Sequence, residues 1–106
     1  MMDAQKRINQ QVTTNSVVLY IKGTPLFPQC GFSGAAIKML KASGGSNLFT
    51  MGVLADPEIR EGIKSYANWA TIPQLYIKGE FAGGTDIMRE IFKQGELQKL
   101  LQAAEG

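Results

Sequence analysis

The sequence predicts an α/β fold, a mixed four-stranded sheet flanked by helices on both faces, and three observations predict it. The run Val17–Ile21 is short, wholly apolar and rich in β-branched residues, as a buried strand requires. Amphipathic helical patterns stand before it, after it and between the later strand candidates. Two further strand candidates, near residues 76 and 81, are separated only by a tight glycine-containing turn and therefore pair as an antiparallel hairpin. At 106 residues the chain is expected to form one domain, residues 1–106, with a modest core.

Taken in order, residues 1–14 are polar and carry Ala4, Ile8 and Val12 four apart, an amphipathic helix and not a signal peptide. Asn15 and Ser16 turn the chain into the first strand. Gly23, Pro25 and Pro28 break that strand into a loop. A helix follows from about residue 33 to residue 42, with Ala36, Ile37 and Leu40 on one face, although Gly34 in its first turn costs about 1 kcal/mol relative to alanine. The run Ser-Gly-Gly-Ser at 43–46 stops it. Residues 48–54 read as a second strand weakened by Gly52. Asp56 is placed to cap the next helix, with Pro57 at its first position and Glu58 in its first turn, where they suit the unpaired N–H groups and the dipole. Ile59, Ile63, Tyr66 and Ala67 form its apolar face.

In the second half, residues 74–78 read as a strand, Gly79-Glu80 as a turn, and Phe81-Ala82 as the returning strand, ended by Gly83 and Gly84. A helix starting near Thr85 or Asp86 buries Ile87, Met88, Ile91 and Phe92 until Gly95, and a last helix carries Leu97, Leu100 and Leu101. The order is αβαβαββαα. A β-α-β opening with a hairpin finish gives parallel and antiparallel pairing in one sheet, the thioredoxin-like arrangement.

Composition narrows the function. A hydrophobic content of 44% with 19% charged residues is that of an ordinary globular protein. The formal net charge is only +2, with basic residues scattered, so there is no electrostatic footprint for nucleic acid. No apolar run approaches the length of a membrane span. One cysteine forms no internal disulfide, which points to a reducing compartment, the cytoplasm being the simplest. There is no histidine, so His-assisted nucleophilic catalysis and His-containing metal sites are excluded.

That cysteine, Cys30, lies in Pro28-Gln-Cys-Gly-Phe-Ser33, between the first strand and a helix start. A lone cysteine is commonly an inert buried hydrophobe. Here it sits in a turn beside Gly31, where helix-start N–H groups and the positive dipole end favour the thiolate, and Lys22 ends the preceding strand within reach. A reactive or ligating role is the expectation.

Three other places read as chemical. Thr71-Ile72-Pro73 precedes a strand; trans is the default for Pro73, but in a thioredoxin-like topology this loop faces the cysteine, and a cis bond is expected to turn the Ile72 backbone toward a docked peptide-like ligand. Gly83-Gly84-Thr85-Asp86 leads into a helix start, a place for a carboxylate, although a plain helix capped by Thr85 or Asp86 is an equal reading. Arg60 and Lys64 lie one turn apart and gain meaning only beside a carboxylated ligand. A thiolate, exposed backbone, cations at one end and a helix-start anion site at the other complement glutathione.

These blocks, with Lys22-Gly-Thr-Pro25, Asp56-Pro-Glu-Ile-Arg60, Tyr66-Ala-Asn-Trp69, Thr71-Ile-Pro-Gln-Leu-Tyr76 and Gly83-Gly-Thr-Asp-Ile87, closely resemble the CGFS monothiol glutaredoxins of the single-domain bacterial and organellar type. The resemblance implies a thioredoxin fold binding glutathione and a 2Fe-2S cluster shared in a homodimer, ligated by Cys30 and one glutathione thiol from each side. It implies that Lys22 and Arg60 contact the glycyl carboxylate, that Ile72 pairs with the cysteinyl unit, and that Thr85 and Asp86 hold the γ-glutamyl end, with Gly83 and Gly84 structural. A carrier role in iron–sulfur assembly follows, with apoprotein recipients and a BolA-like partner. The alternative is a glutathione-dependent thiol-disulfide oxidoreductase acting through Cys30 alone. Two departures from the family pattern are Ala70, where proline is common, and Thr85, where serine or cysteine is common.

Overall fold

The structure is a computed structural model that describes residues 3–45 and 47–105. Among the described residues, five helices and four strands follow in the order α1 (Ala4–Thr14), β1 (Val17–Ile21), α2 (Gly31–Ala42), β2 (Leu48–Gly52), α3 (Pro57–Ala67), β3 (Gln74–Ile77), β4 (Glu80–Gly83), α4 (Thr85–Lys93) and α5 (Glu96–Glu105). Met1 and Met2 of the expected first helix and Ser46 of the expected stop lie outside the described residues.

The sheet order is β2-β1-β3-β4. β1 runs parallel to β2 and antiparallel to β3, and β3 and β4 form the expected hairpin. All five residues of β1 are buried, because a central strand covered on both faces has no solvent side. Alternation sends Val17, Leu19 and Ile21 to the layer of α2, α4 and α5, where Ile37, Leu40, Met88, Leu97 and Leu101 pack. Val18 and Tyr20 face α1 and α3, against Ile8, Val12, Ile59 and Ile63.

The chain departs from the expected elements at five places, each for a local reason. α2 starts two residues earlier, at Gly31, because Cys30 is its N-cap and draws Gly31 and Phe32 into the first turn. β2 ends at Gly52, where a Cβ would run into the Gly23 carbonyl oxygen; the next N–H, of Val53, still bonds Ile21 O at 2.9 Å as the chain leaves the sheet. The hairpin turn is Lys78-Gly79, both at positive φ (52° and 80°), so Glu80 belongs to the strand and pairs with Ile77. In α4, Met88 is buried and Ile91 packs on the core, whereas Ile87 and Phe92 are largely exposed. Ile87 covers the backbone of Gly83 and not the core, and Phe92 falls just outside the inward stripe. Leu100 likewise stays exposed between buried Leu97 and Leu101.

α3 is anchored as its sequence requires. Asp56 caps it by accepting the Ile59 N–H at 3.2 Å, and it also accepts from Arg7 of α1 at 2.7 Å. The Arg7 hydrogen bond, with the cap, holds the Asp56 carboxyl below the usual carboxylate range. α1 and α3 are thereby fixed together, and α3 carries Arg60 to the end of the sheet where β1 delivers Lys22.

Candidate functional site

Cys30 is the N-cap residue of α2, in extended conformation (φ −151°, ψ 155°), with its sulfur in the place usually taken by a capping hydroxyl. The Ser33 backbone N–H donates to Sγ at 3.3 Å. The thiol in turn donates to the Ser33 hydroxyl oxygen at 3.2 Å, and on ionisation that contact reverses, the hydroxyl donating to sulfur. Ser33 is fully buried and accepts the Lys22 backbone N–H at 3.0 Å, so its orientation is held from β1. Partial burial opposes charge on the thiol, but the Ser33 hydroxyl, the Ser33 and Phe32 N–H groups and the Lys22 charge together outweigh it and bring the Cys30 pKa below the ordinary thiol value. Cys30 is partly exposed, which leaves the sulfur open to a partner.

Lys22, Arg60, Ile72, Thr85 and Asp86 line one cavity of about 340 Å³. They come from the end of β1, from α3, from the turn before β3 and from the start of α4, so only the assembled fold brings them together. Phe32, Lys64, Ala70, Thr71 and Pro73 complete its walls, and the Ile72–Pro73 bond is cis. Cys30 does not line this cavity. It borders a separate, more open depression with Pro28, Gln29 and Lys38, while Lys22 and Phe32 connect its surroundings to the main groove.

Two polar atoms of the cavity residues are buried without a hydrogen-bond partner, Arg60 Nε and Thr85 Oγ1. A buried hydroxyl or guanidinium N–H left unpaired costs stability, and such groups are characteristic of a site completed by a ligand. Neither Thr85 nor Asp86 is the cap of α4. That position is taken by Gly84, with no side-chain cap bond, so the plain capped-helix reading does not hold and the helix-start N–H groups lack a side-chain acceptor. Gly84 leaves little room for a side chain: a Cβ would sit 3.2 Å from Trp69 Nε1 and 3.4 Å from the Pro73 carbonyl oxygen. Gly83 adopts φ 134°, and a Cβ there would meet Ile87 Cβ at 2.7 Å.

Two residues to which the sequence assigned no positive role prove central. In the sequence Ser33 stands only as the end of the cysteine loop, and Gln74 only as the first residue of a strand. Both are fully buried polar side chains that bond backbone in a neighbouring segment. The available signal was a polar residue inside an otherwise apolar or helix-opening segment.

The family model that matches the chain is Glutaredoxin, over residues 17–82. A ycf64-like monothiol glutaredoxin of Synechocystis sp. is 52% identical over 102 residues, spanning 96% of this chain and 94% of its own. The mitochondrial monothiol glutaredoxin-5 of Schizosaccharomyces pombe is 47% identical, over 96% of this chain and 73% of its own. Among solved structures, reduced apo GrxS14 of poplar superposes with a TM-score of 0.80 at 42% identity, covering 95% of this chain and 92% of that one.

Proposed function

The chain belongs to the monothiol glutaredoxins, and from that premise we propose that it binds glutathione and carries a 2Fe-2S cluster between two copies of itself, as a donor in iron–sulfur assembly. The observation that carries the reading is the single ionisable thiol of Cys30 beside a cavity holding unpaired Arg60 Nε and Thr85 Oγ1. Lys22 and Arg60 suit the glycyl carboxylate of glutathione. The exposed backbone edge at Ile72 suits its cysteinyl amide, and Thr85 with Asp86 suits the γ-glutamyl carboxylate and amine.

The donor set fits the cluster as cargo and not as a resident of one chain. Among the described residues no group of three or more His, Cys, Asp or Glu side chains can hold a metal ion, and the sequence has one cysteine. A thiolate is the soft ligand that iron–sulfur clusters take. One thiolate from each of two chains and one from each of two glutathiones make four. The chain's own residues supply a sulfur whose ionisation Ser33 and Lys22 favour and a groove that holds the glutathione thiol next to it. A reducing compartment, the cytoplasm, keeps such a thiol free, and a BolA-like protein or an apoprotein recipient is a fitting partner.

Reconstitution with iron, sulfide and glutathione under anaerobic conditions tests this. A brown species of dimer size that forms only with glutathione, and that Cys30→Ser does not form, supports it. A colourless monomer under all conditions, or a variant that keeps the full chromophore, contradicts it.

The depressed Cys30 pKa favours one second reading, a glutathione-dependent oxidoreductase. The Cys30 thiolate attacks the glutathionyl sulfur of a mixed disulfide, forming a Cys30–glutathione disulfide and releasing the substrate thiolate, which takes a proton. A second glutathione thiolate then attacks that disulfide and leaves as glutathione disulfide, restoring Cys30. Vigorous turnover of a small mixed disulfide by the apoprotein distinguishes this reading from a carrier.

A further inference from the structure

The turn between α3 and β3 supplies Ala70, Thr71, Ile72 and Pro73 to one wall of the cavity. It is held from behind by a side chain that does not line the cavity. Gln74 Nε2 donates to the Trp69 carbonyl at 2.9 Å and to the Thr71 carbonyl at 3.2 Å. Carbonyl oxygens only accept, so the amide nitrogen must face them and the Gln74 oxygen must point away. That oxygen accepts the hydroxyl of Tyr76 at 3.0 Å. Gln74 is 0% exposed and Tyr76 is 1% exposed, so neither exchanges these partners for water.

We propose that Gln74 is a positioning residue for the groove: its carboxamide, fixed from behind by Tyr76, sets the path of residues 69–72 and so the backbone edge that Ile72 presents to the ligand. The inference rests on the reading of the groove as a glutathione site. No other side chain of this size does the same work. Leucine leaves two carbonyls without donors. Glutamate sets a carboxylate against two carbonyl oxygens, and its protonated form has only one O–H to share between them. The effect of losing this clamp is local, because the sheet pairing of Gln74 with Tyr20 is made by backbone and survives the change.

The test compares Gln74→Leu with the parent chain by two measurements. The first is the backbone 15N order parameters of Ala70, Thr71 and Ile72 in the apoprotein by NMR relaxation; the second is calorimetric titration with reduced glutathione. The expected result is a variant that still unfolds cooperatively and keeps the parent pH profile of Cys30 alkylation. Its order parameters at 70–72 fall from about 0.85 to about 0.6 or below, and its glutathione Kd rises about tenfold, the loss expected when a part-buried pair of acceptors goes unpaired. A lower urea midpoint with unchanged order parameters at 70–72, and a Kd within about twofold of the parent, overturns the proposal. If Gln74→Leu does not fold, Gln74→Glu, which keeps the shape, carries the same two readouts. If the parent chain does not bind glutathione, the groove reading falls by itself; unchanged order parameters at 70–72 then still overturn the clamp, and lowered ones uphold it.

Discussion

The Lys22 backbone N–H donates to the Ser33 hydroxyl at 3.0 Å, tying the end of β1 to the first turn of α2 within hydrogen-bond reach of the Cys30 sulfur. This one contact makes Ser33 part of the thiol's environment and not a passive replacement for a second cysteine. Ser33→Ala is expected to raise the Cys30 pKa, so alkylation by iodoacetamide at neutral pH slows and the midpoint of its pH profile moves up. The same variant loses about 1 kcal/mol of stability, because the Lys22 N–H loses its acceptor, and urea unfolding measures that loss.

The depressed thiol pKa also fixes the sign of a stability effect. A group whose pKa is lower in the folded state stabilises that state fully above the unfolded value, about 8.5 for cysteine, and this contribution is lost as pH falls through the folded value. The stability difference between the parent chain and Cys30→Ser is therefore expected to grow from neutral pH toward about pH 9 and then level off. Urea midpoints at a series of pH values check it; a difference that shrinks with rising pH contradicts the assignment.

Thr85 separates ligand binding from folding. Its Oγ1 is buried without a partner, and the residue is only 7% exposed. Thr85→Val keeps the shape and removes the unpaired hydroxyl, so the apoprotein is expected to gain about 1 kcal/mol of stability. Glutathione affinity is expected to fall by about tenfold, because the ligand loses a donor or acceptor inside a buried site. Thermal unfolding and calorimetry read the two opposite effects.

Gly83 is held at φ 134° under the Ile87 side chain. Gly83→Ala combines a backbone conformation that L-residues rarely adopt with a direct collision, and a cost of about 2 kcal/mol or more is expected. Trimming Ile87 in the double variant Gly83→Ala/Ile87→Ala removes the clashing Cγ2 and Cδ1 but leaves the contact with the Cβ at that position and the backbone term, so most of the loss should remain. Urea unfolding of the two variants measures this.

Much of the fold was legible because its determinants are local. The buried run of β1, the Asp56-Pro57 helix start and the glycine turn of the hairpin each declare themselves within a few residues. What escaped depended on contacts that only the folded chain makes. The end of β2 is set by Gly52 meeting Gly23, and the exposure of Ile87 by its seat on Gly83. Cys30 stood out as the only thiol, and Lys22, Arg60, Ile72, Thr85 and Asp86 by their placement in the predicted topology, with their separate contacts implied by the family resemblance; the fold gathers those five in one cavity. Ser33 and Gln74 did not stand out, because a buried polar side chain is recognised only when the carbonyl or N–H it satisfies is known.

The shared-cargo reading makes a claim about ligand arithmetic, and the most direct measurement is the composition of the reconstituted, size-separated species. Iron, acid-labile sulfide, glutathione and protein are quantified on the same fractions. The predicted result is one glutathione and one iron per chain in a dimer-sized species, with no coloured species formed when glutathione is left out of the reconstitution. A coloured species that holds its iron with no glutathione bound would contradict it, since the chain's own donors would then suffice.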